Sequence, residues 1–255
     1  MNSREQARAQ GEQIRAAITG TVESAHLPAD LDHLISEVVF KGIWGRPGLA
    51  TRDRMICTLA ALCAQQRLTL LRSWTGAALD GGLSAQTIQE ICLHVCYYIG
   101  VLTLDETLGV VREVCVARGV PLPAVTLASG DLAALAAEGE RVKNTLHAAS
   151  PEQLPPSEGD VVNALFDLAA PYGYGEMWTR PGLDFREHAL VSIASFTVLR
   201  MERQLSQFIQ SGLRLGLRKE EVIEAIVQTG PYGGFPVALQ GLRIFSKLLS
   251  DGTQA

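Results

Sequence analysis

Trp44-Gly-Arg-Pro-Gly-Leu49 recurs 134 residues later as Trp178-Thr-Arg-Pro-Gly-Leu183, and the correspondence continues without a gap from residue 44 to residue 111. Identities fall at Arg52, Ala60, Leu71, Leu79, Gly82, Leu83, Glu90, Tyr98, Gly100 and Leu108, and most other pairs are swaps such as Ile56 with Leu190. Self-similarity at a fixed offset marks a duplicated structural unit. At an offset of 128, Gly11-Glu-Gln-Ile-Arg15 falls on Gly139-Glu-Arg-Val-Lys143, so each copy has a leading segment too. The chain reads as two units, 1–127 and 128–255.

Each unit has helical periodicity. Met55, Ile56, Leu59, Ala60 and Cys63 lie at the spacing of one α-helical face, with Thr51 expected as the N-cap after a Pro-Gly entry. A second helix is predicted over about 68–79, ended by Gly81-Gly82. Ser84 caps a third, whose apolar face is Ile88, Ile91, Cys92, Val95 and Ile99; Gly100 interrupts it before a fourth that runs to about 117. No run alternates with period two for long enough to argue a sheet, so an all-α fold is expected, with the two copies packed about an approximate twofold axis. Between them Pro121, Pro123, Pro151, Pro155 and Pro156 flank a predicted helix from about 130 to 148, with a loose stretch at 150–158.

Composition narrows the function. With 47% hydrophobic and 19% charged residues the chain can bury a core. Its 22 Lys and Arg against 27 Asp and Glu give a net charge of -5, with no basic block at either end, so nucleic acid is not the expected partner. Arg4, Glu5, Arg8, Glu12 and Arg15 interrupt any signal-like run, and no apolar stretch reaches the roughly 20 residues of a membrane span. A soluble, cytoplasmic protein is expected. The five cysteines, all in the first copy, contain no C-x-x-C pair and read as small buried hydrophobes, neither a disulfide framework nor a metal site.

The repeated string, WGRPGLATRDRMICTLA with ALDGGLSAQTIQEICLHVCYYIGV and then WTRPGLDFREHALVSIA with GLRLGLRKEEVIEAIVQTGPYGGFPVAL, resembles the carboxymuconolactone decarboxylase family over about 36–115 and 170–249. The resemblance implies two tandem helical domains, a fused pair standing for a dimer, and further homo-oligomeric assembly. The alkyl hydroperoxidase-like branch uses a C-x-x-C-x-x-x-H motif with a glutamate twelve residues upstream. Those places hold Arg67, Leu70, Trp74 and Met55 in one copy and Met201, Gln204, Phe208 and Ala189 in the other. With no thiol, imidazole or carboxylate among them, a dithiol peroxidase is not expected. The decarboxylase branch keeps the histidine, here Trp74 and Phe208, and neither ring moves protons near neutral pH. Two readings of that exchange stand: an apolar wall for a ligand, or a pocket filled in.

Other residues can still carry chemistry. Glu90, His94 and Tyr98 share a stripe on one helix, giving either a proton relay in which Glu90 holds the His94 ring or a solvated or interface-facing stripe. Its second-copy counterpart is Glu224, Gln228, Tyr232, so His94 is particular to the first. His188, where the first copy has Arg54, is a second candidate base. Arg52 and Arg186, with Arg46 and Arg180, either fork onto a substrate carboxylate or hold one copy to the other. Trp74, Tyr98, Cys63 and Phe208 complete the candidate binding set, with Pro231 expected to bend the third helix of the second copy. The expected function is a cofactor-independent enzyme acting on a small carboxylated or polyketide-like molecule by decarboxylation, lactone opening or cyclisation. The alternative is a non-catalytic ligand-binding or assembly protein on the same scaffold.

Overall fold

A computed structural model describes residues 3–20, 27–128, 131–147 and 167–252, and among these every regular element is helical. The Pro-rich stretch at 150–158 lies outside the described residues. The first half comprises α1 (Arg4–Thr19), α2 (Ala29–Ile35) continuing into a π-helical stretch Ser36–Trp44, α3 (Thr51–Ala64), α4 (Leu68–Asp80), α5 (Ala85–Ile99) and α6 (Leu104–Ala117). The second repeats it as α7 (Leu132–His147), a π-helical stretch Ala169–Glu176, α8 (Phe185–Leu199), α9 (Glu202–Arg214), α10 (Lys219–Gln228), the short α11 (Gly230–Gly233) and α12 (Phe235–Gly252).

The leading helices dock in the same way. A Cβ on Gly11 would collide with the Ser36 carbonyl and one on Gly139 with the Ala170 carbonyl, so both helices use glycine to cross the following π-helical stretch at backbone contact. The repeated glycine thus fixes an approach distance.

Helices α3 and α8 form the centre. Every residue from Asp53 to Ala64 and from Glu187 to Val198 is buried, although only one apolar face is visible in the sequence of α3. Burial all round is what a helix shows when it is packed on both sides. Here α3 contacts α4 and α5 of its own half and α8 of the other. Ile56, Leu59, Leu62, Leu190 and Ile193 are fully buried, each contributing about 1.5–3 kcal/mol of transfer free energy.

Helix ends show how far local signals reach. Ser84 caps α5 by accepting from the Thr87 amide at 3.0 Å. Thr51, expected as a cap, is instead the first helical residue of α3; the N-cap is Ala50, which has no side chain to offer. Its counterpart Asp184 makes a complete capping box with Glu187 on α8. Pro231 ends the third helix of the second half early and does not bend it: α10 stops at Gln228, and α11 starts with Pro231 in its first turn.

Candidate functional site

The halves dock so that α5 of the first faces α8 of the second, while α10 of the second faces α3 of the first. Two pseudo-equivalent clusters result, each walled by both halves. At the edge of one, the Arg180 guanidinium forks onto Glu90 at 2.6 and 2.9 Å and also reaches Glu176 at 2.9 Å. At the edge of the other, Arg46 forks onto Glu224 at 2.7–3.0 Å, joined by the fully buried Arg54 at 2.8 Å. Burial alone would raise the Glu224 carboxyl, but hydrogen bonds from Arg46 and Arg54 hold it below the ordinary range. The motif arginines are therefore committed to protein carboxylates.

Arg52 and Arg186 are committed likewise. Arg52 donates to Glu187 at 3.0 Å, and Arg186 donates to both Asp53 and Glu221 at 2.7 Å. The pairs Arg52–Glu187 and Arg186–Asp53 exchange under the repeat, which makes them clamps between halves, the second of the two readings open at the outset.

Inside the first cluster His94 of α5 meets His188 of α8, their Nδ1 atoms 3.0 Å apart. The two residues considered as rival bases stand in one site. His94 Nε2 lies 2.6 Å from Tyr98 Oη and 3.2 Å from Ser192 Oγ, Tyr98 Oη lies 2.8 Å from Ser192 Oγ, and Ser192 donates to the His188 carbonyl at 2.9 Å. Trp178 packs on both imidazoles, at 5.2 Å from each, and stacks on Phe208 at 5.8 Å. Glu90, read as the group holding His94, is turned away to Arg180, and the His94 ring is instead held by Tyr98, Ser192 and His188. The second cluster replaces these groups by Gln228, Arg54, Thr58 and Tyr232: Arg54 donates to Gln228 at 3.0 Å and Gln228 to Thr58 at 3.1 Å. Trp74 belongs here, stacked on Trp44 at 5.2 Å and edge-on to Tyr232, so it forms no wall for His94.

Burial governs the electrostatics. His94 is 2% exposed and His188 fully buried. Burial, and then the neighbouring His188, hold His94 well below the ordinary histidine range, while burial brings His188 down to about 4. Both rings are neutral at pH 7, so one Nδ1 carries the proton between them. If His188 donates it, a directional chain runs from His94 Nε2–H to Tyr98, from Tyr98 to Ser192 and from Ser192 to the His188 carbonyl. Every donor is then used. What remains is the His188 Nε2 lone pair, a buried atom without a partner among the described residues.

Cys63 lies elsewhere. Hydrogen bonding to Cys92 and Cys96 on the opposite face of α5 from His94 pushes its thiol up, and Cys96 is lowered to about 6 chiefly by its bond to Cys63. Ser192 was missed in the sequence. The signal was present, because His188 and Ser192 are i, i+4 on one helix, as are Glu90 and His94.

Fold and site define a fused helical pair with a buried histidine centre at the seam of its copies. The carboxymuconolactone decarboxylase family model matches residues 29–113 and 163–247, and the chain belongs to that family. It is similar to the 4-carboxymuconolactone decarboxylase of Acinetobacter baylyi, 29% identical over 85 residues that cover 33% of this chain and 63% of that protein. It is also similar to the nitrosuccinic acid decarboxylase of Metarhizium robertsii, 24% identical over 112 residues covering 44% and 72%. The chain spans less than two thirds of the length of the Acinetobacter relative. Among the described residues no helix is long and apolar enough to cross a membrane.

Proposed function

We propose that the chain is a decarboxylase-like enzyme for a small carboxylated molecule, working without a cofactor and not as a dithiol peroxidase, with the His94–His188 pair as its reaction centre. The observation that carries this is the pair itself: two buried neutral imidazoles in contact, one with a free lone pair, present in only one of the two pseudo-equivalent clusters. The decarboxylase names of the Acinetobacter and Metarhizium relatives support the reaction class. Loss of CO2 leaves an electron pair on carbon that must be protonated. A carboxylate arriving beside His188 Nε2 raises the basicity of that ring, because a nearby anion favours its charged form. The ring then takes up a proton from solvent, holds it at Nε2 during carbon–carbon cleavage, and returns it to the carbanion, ending neutral. The hydroxyl chain through Tyr98 and Ser192 keeps His94 oriented to accept from His188 Nδ1.

The test is CO2 release from a panel of lactone, β-oxo and β-nitro carboxylic acids. His94→Gln and His188→Arg, which copy Gln228 and Arg54 of the other cluster, are each expected to cost about 10²-fold or more in turnover without unfolding. Gln228→Ala is expected to cost little. Full turnover in both histidine variants sinks the assignment. The complete burial of His188 favours a second reading, a closed scaffold, which predicts no CO2 from any acid and no change in imidazole signals on adding them.

A further inference from the structure

We propose that a groove on the second half is the vestibule of the His94–His188 centre, selecting a flat apolar molecule with a carboxylate. This rests on the reading of that pair as the reaction centre. The groove, with a volume of about 370 Å³, lies between the C-terminal end of α8, the start of α9, and α12; Phe196, Leu205, Val237 and Ile244 supply apolar walls. Phe196 lines this groove and is itself nearly buried. Its ring lies 4.4 Å from the Tyr98 ring and 5.2 Å from Phe208, and the Tyr98 hydroxyl is bonded to His94. Phe196 thus touches both the groove and the hydrogen-bonded chain of the centre.

The rim supplies the charge. Arg200 follows α8 in the left-handed conformation, φ 58°, and is exposed at the groove mouth, where its guanidinium has no hydrogen bond or ion pair among the described residues. A non-glycine residue is strained in that conformation. Gln66 occupies the equivalent place at φ 52°, but its amide is tied to the Cys63 carbonyl and to Thr107 Oγ1, both at 3.1 Å. Where the first half has Thr107 the second has Gly241, which lines the groove and offers no hydroxyl. The first half ties down its side chain at this point, and the second leaves its cation free. Glu202, the one carboxylate lining the groove, is occupied by the Gln240 amide at 3.0 Å.

Helix α8 adds an independent sign. Both His188 Nε2 and Ser195 Oγ are buried without partners among the described residues, and they stand seven residues apart on one face of the helix that lines the groove with Phe196 and Thr197 and carries His188 into the centre. A buried polar atom left without a partner destabilises the fold unless a ligand completes it. A carboxylate that displaces the Phe196 ring would complete His188 Nε2 once that nitrogen has taken up a proton.

Phenylacetate is the probe, phenylacetamide its neutral control, and the full chain the sample, observed by amide and imidazole nitrogen NMR. Phenylacetate is expected to shift the Thr197, Arg200 and Gly241 amides saturably and to move the His188 imidazole toward its protonated signal. Phenylacetamide is expected to bind at least tenfold more weakly. Arg200→Gln, which copies Gln66 and so suits the left-handed site, should bring phenylacetate to the level of the amide. Phe196→Leu, which copies Leu62, should enlarge the imidazole response by removing the gate. No saturable shift at the groove amides overturns the proposal, and equal binding of acid and amide overturns the role of Arg200. Groove shifts with silent imidazoles in both wild type and Phe196→Leu overturn the vestibule. The reaction centre stands or falls separately, on CO2 release by the histidine variants.

Discussion

His188 is neutral at pH 7 because burial brings it down to about 4, whereas a histidine in the unfolded chain titrates near 6.5. A depressed value means that the unfolded chain binds the extra proton first as pH falls. The contribution of this residue is therefore complete above pH 6.5 and is lost progressively down to about pH 4. The loss is on the order of 3 kcal/mol for His188. His94, held low by burial and by His188, and His147, brought to about 4 by burial, act in the same direction. Urea unfolding is expected to show a midpoint that falls steadily from pH 6.5 to 4.5, with most of the change removed in a His94→Gln, His188→Leu double variant. A midpoint unchanged over that window contradicts the assignment of neutral buried rings.

At the scale of a helix the repeat becomes a comparison of two solutions to one task. Helix α8 begins with Asp184 accepting from the Glu187 amide at 2.7 Å, whereas α3 begins with Ala50, which leaves that bond unmade. Ala50→Asp copies the second half and is expected to stabilise by about 1 kcal/mol in chemical denaturation. No gain would mean that the Asp53–Arg186 pair already serves that helix end. Helices α3, α4, α5 and α6 were legible in the sequence because apolar spacing and Gly or Ser boundaries act within a few residues. The π-helical entries and the burial of α3 on every side were not, since both depend on a partner helix. The same limit governs the site. Spacing placed Glu90, His94 and Tyr98 on one stripe, but only docking shows that Arg180 takes the glutamate and His188 meets the imidazole. Trp74 was assigned to the wrong cluster because each cluster draws its walls from both halves.

For the whole molecule the reciprocal ion pairs set the unit of folding. A first half made alone, residues 1–127, would present Arg54, Asp53 and Glu90 without their partners Glu224, Arg186 and Arg180. The sides of α3 and α5 that pack on α8 would be bared to water with them, at a cost of about 25 cal/mol per Å² of apolar surface. Sedimentation and circular dichroism are expected to find this fragment either unfolded or self-associated; a folded monomer would mean that the halves are independent. Crossed walls also constrain how the two copies can drift. A change in α5 alters one wall of a cluster whose opposite wall is encoded 94 residues away, and a change in α3 one whose opposite wall lies 174 residues away, so a novelty at one address is tolerated only with a matching change at the other. His94 suits His188, as Gln228 suits Arg54. The asymmetry between the two clusters therefore takes a difference in each copy, His94 against Gln228 and His188 against Arg54.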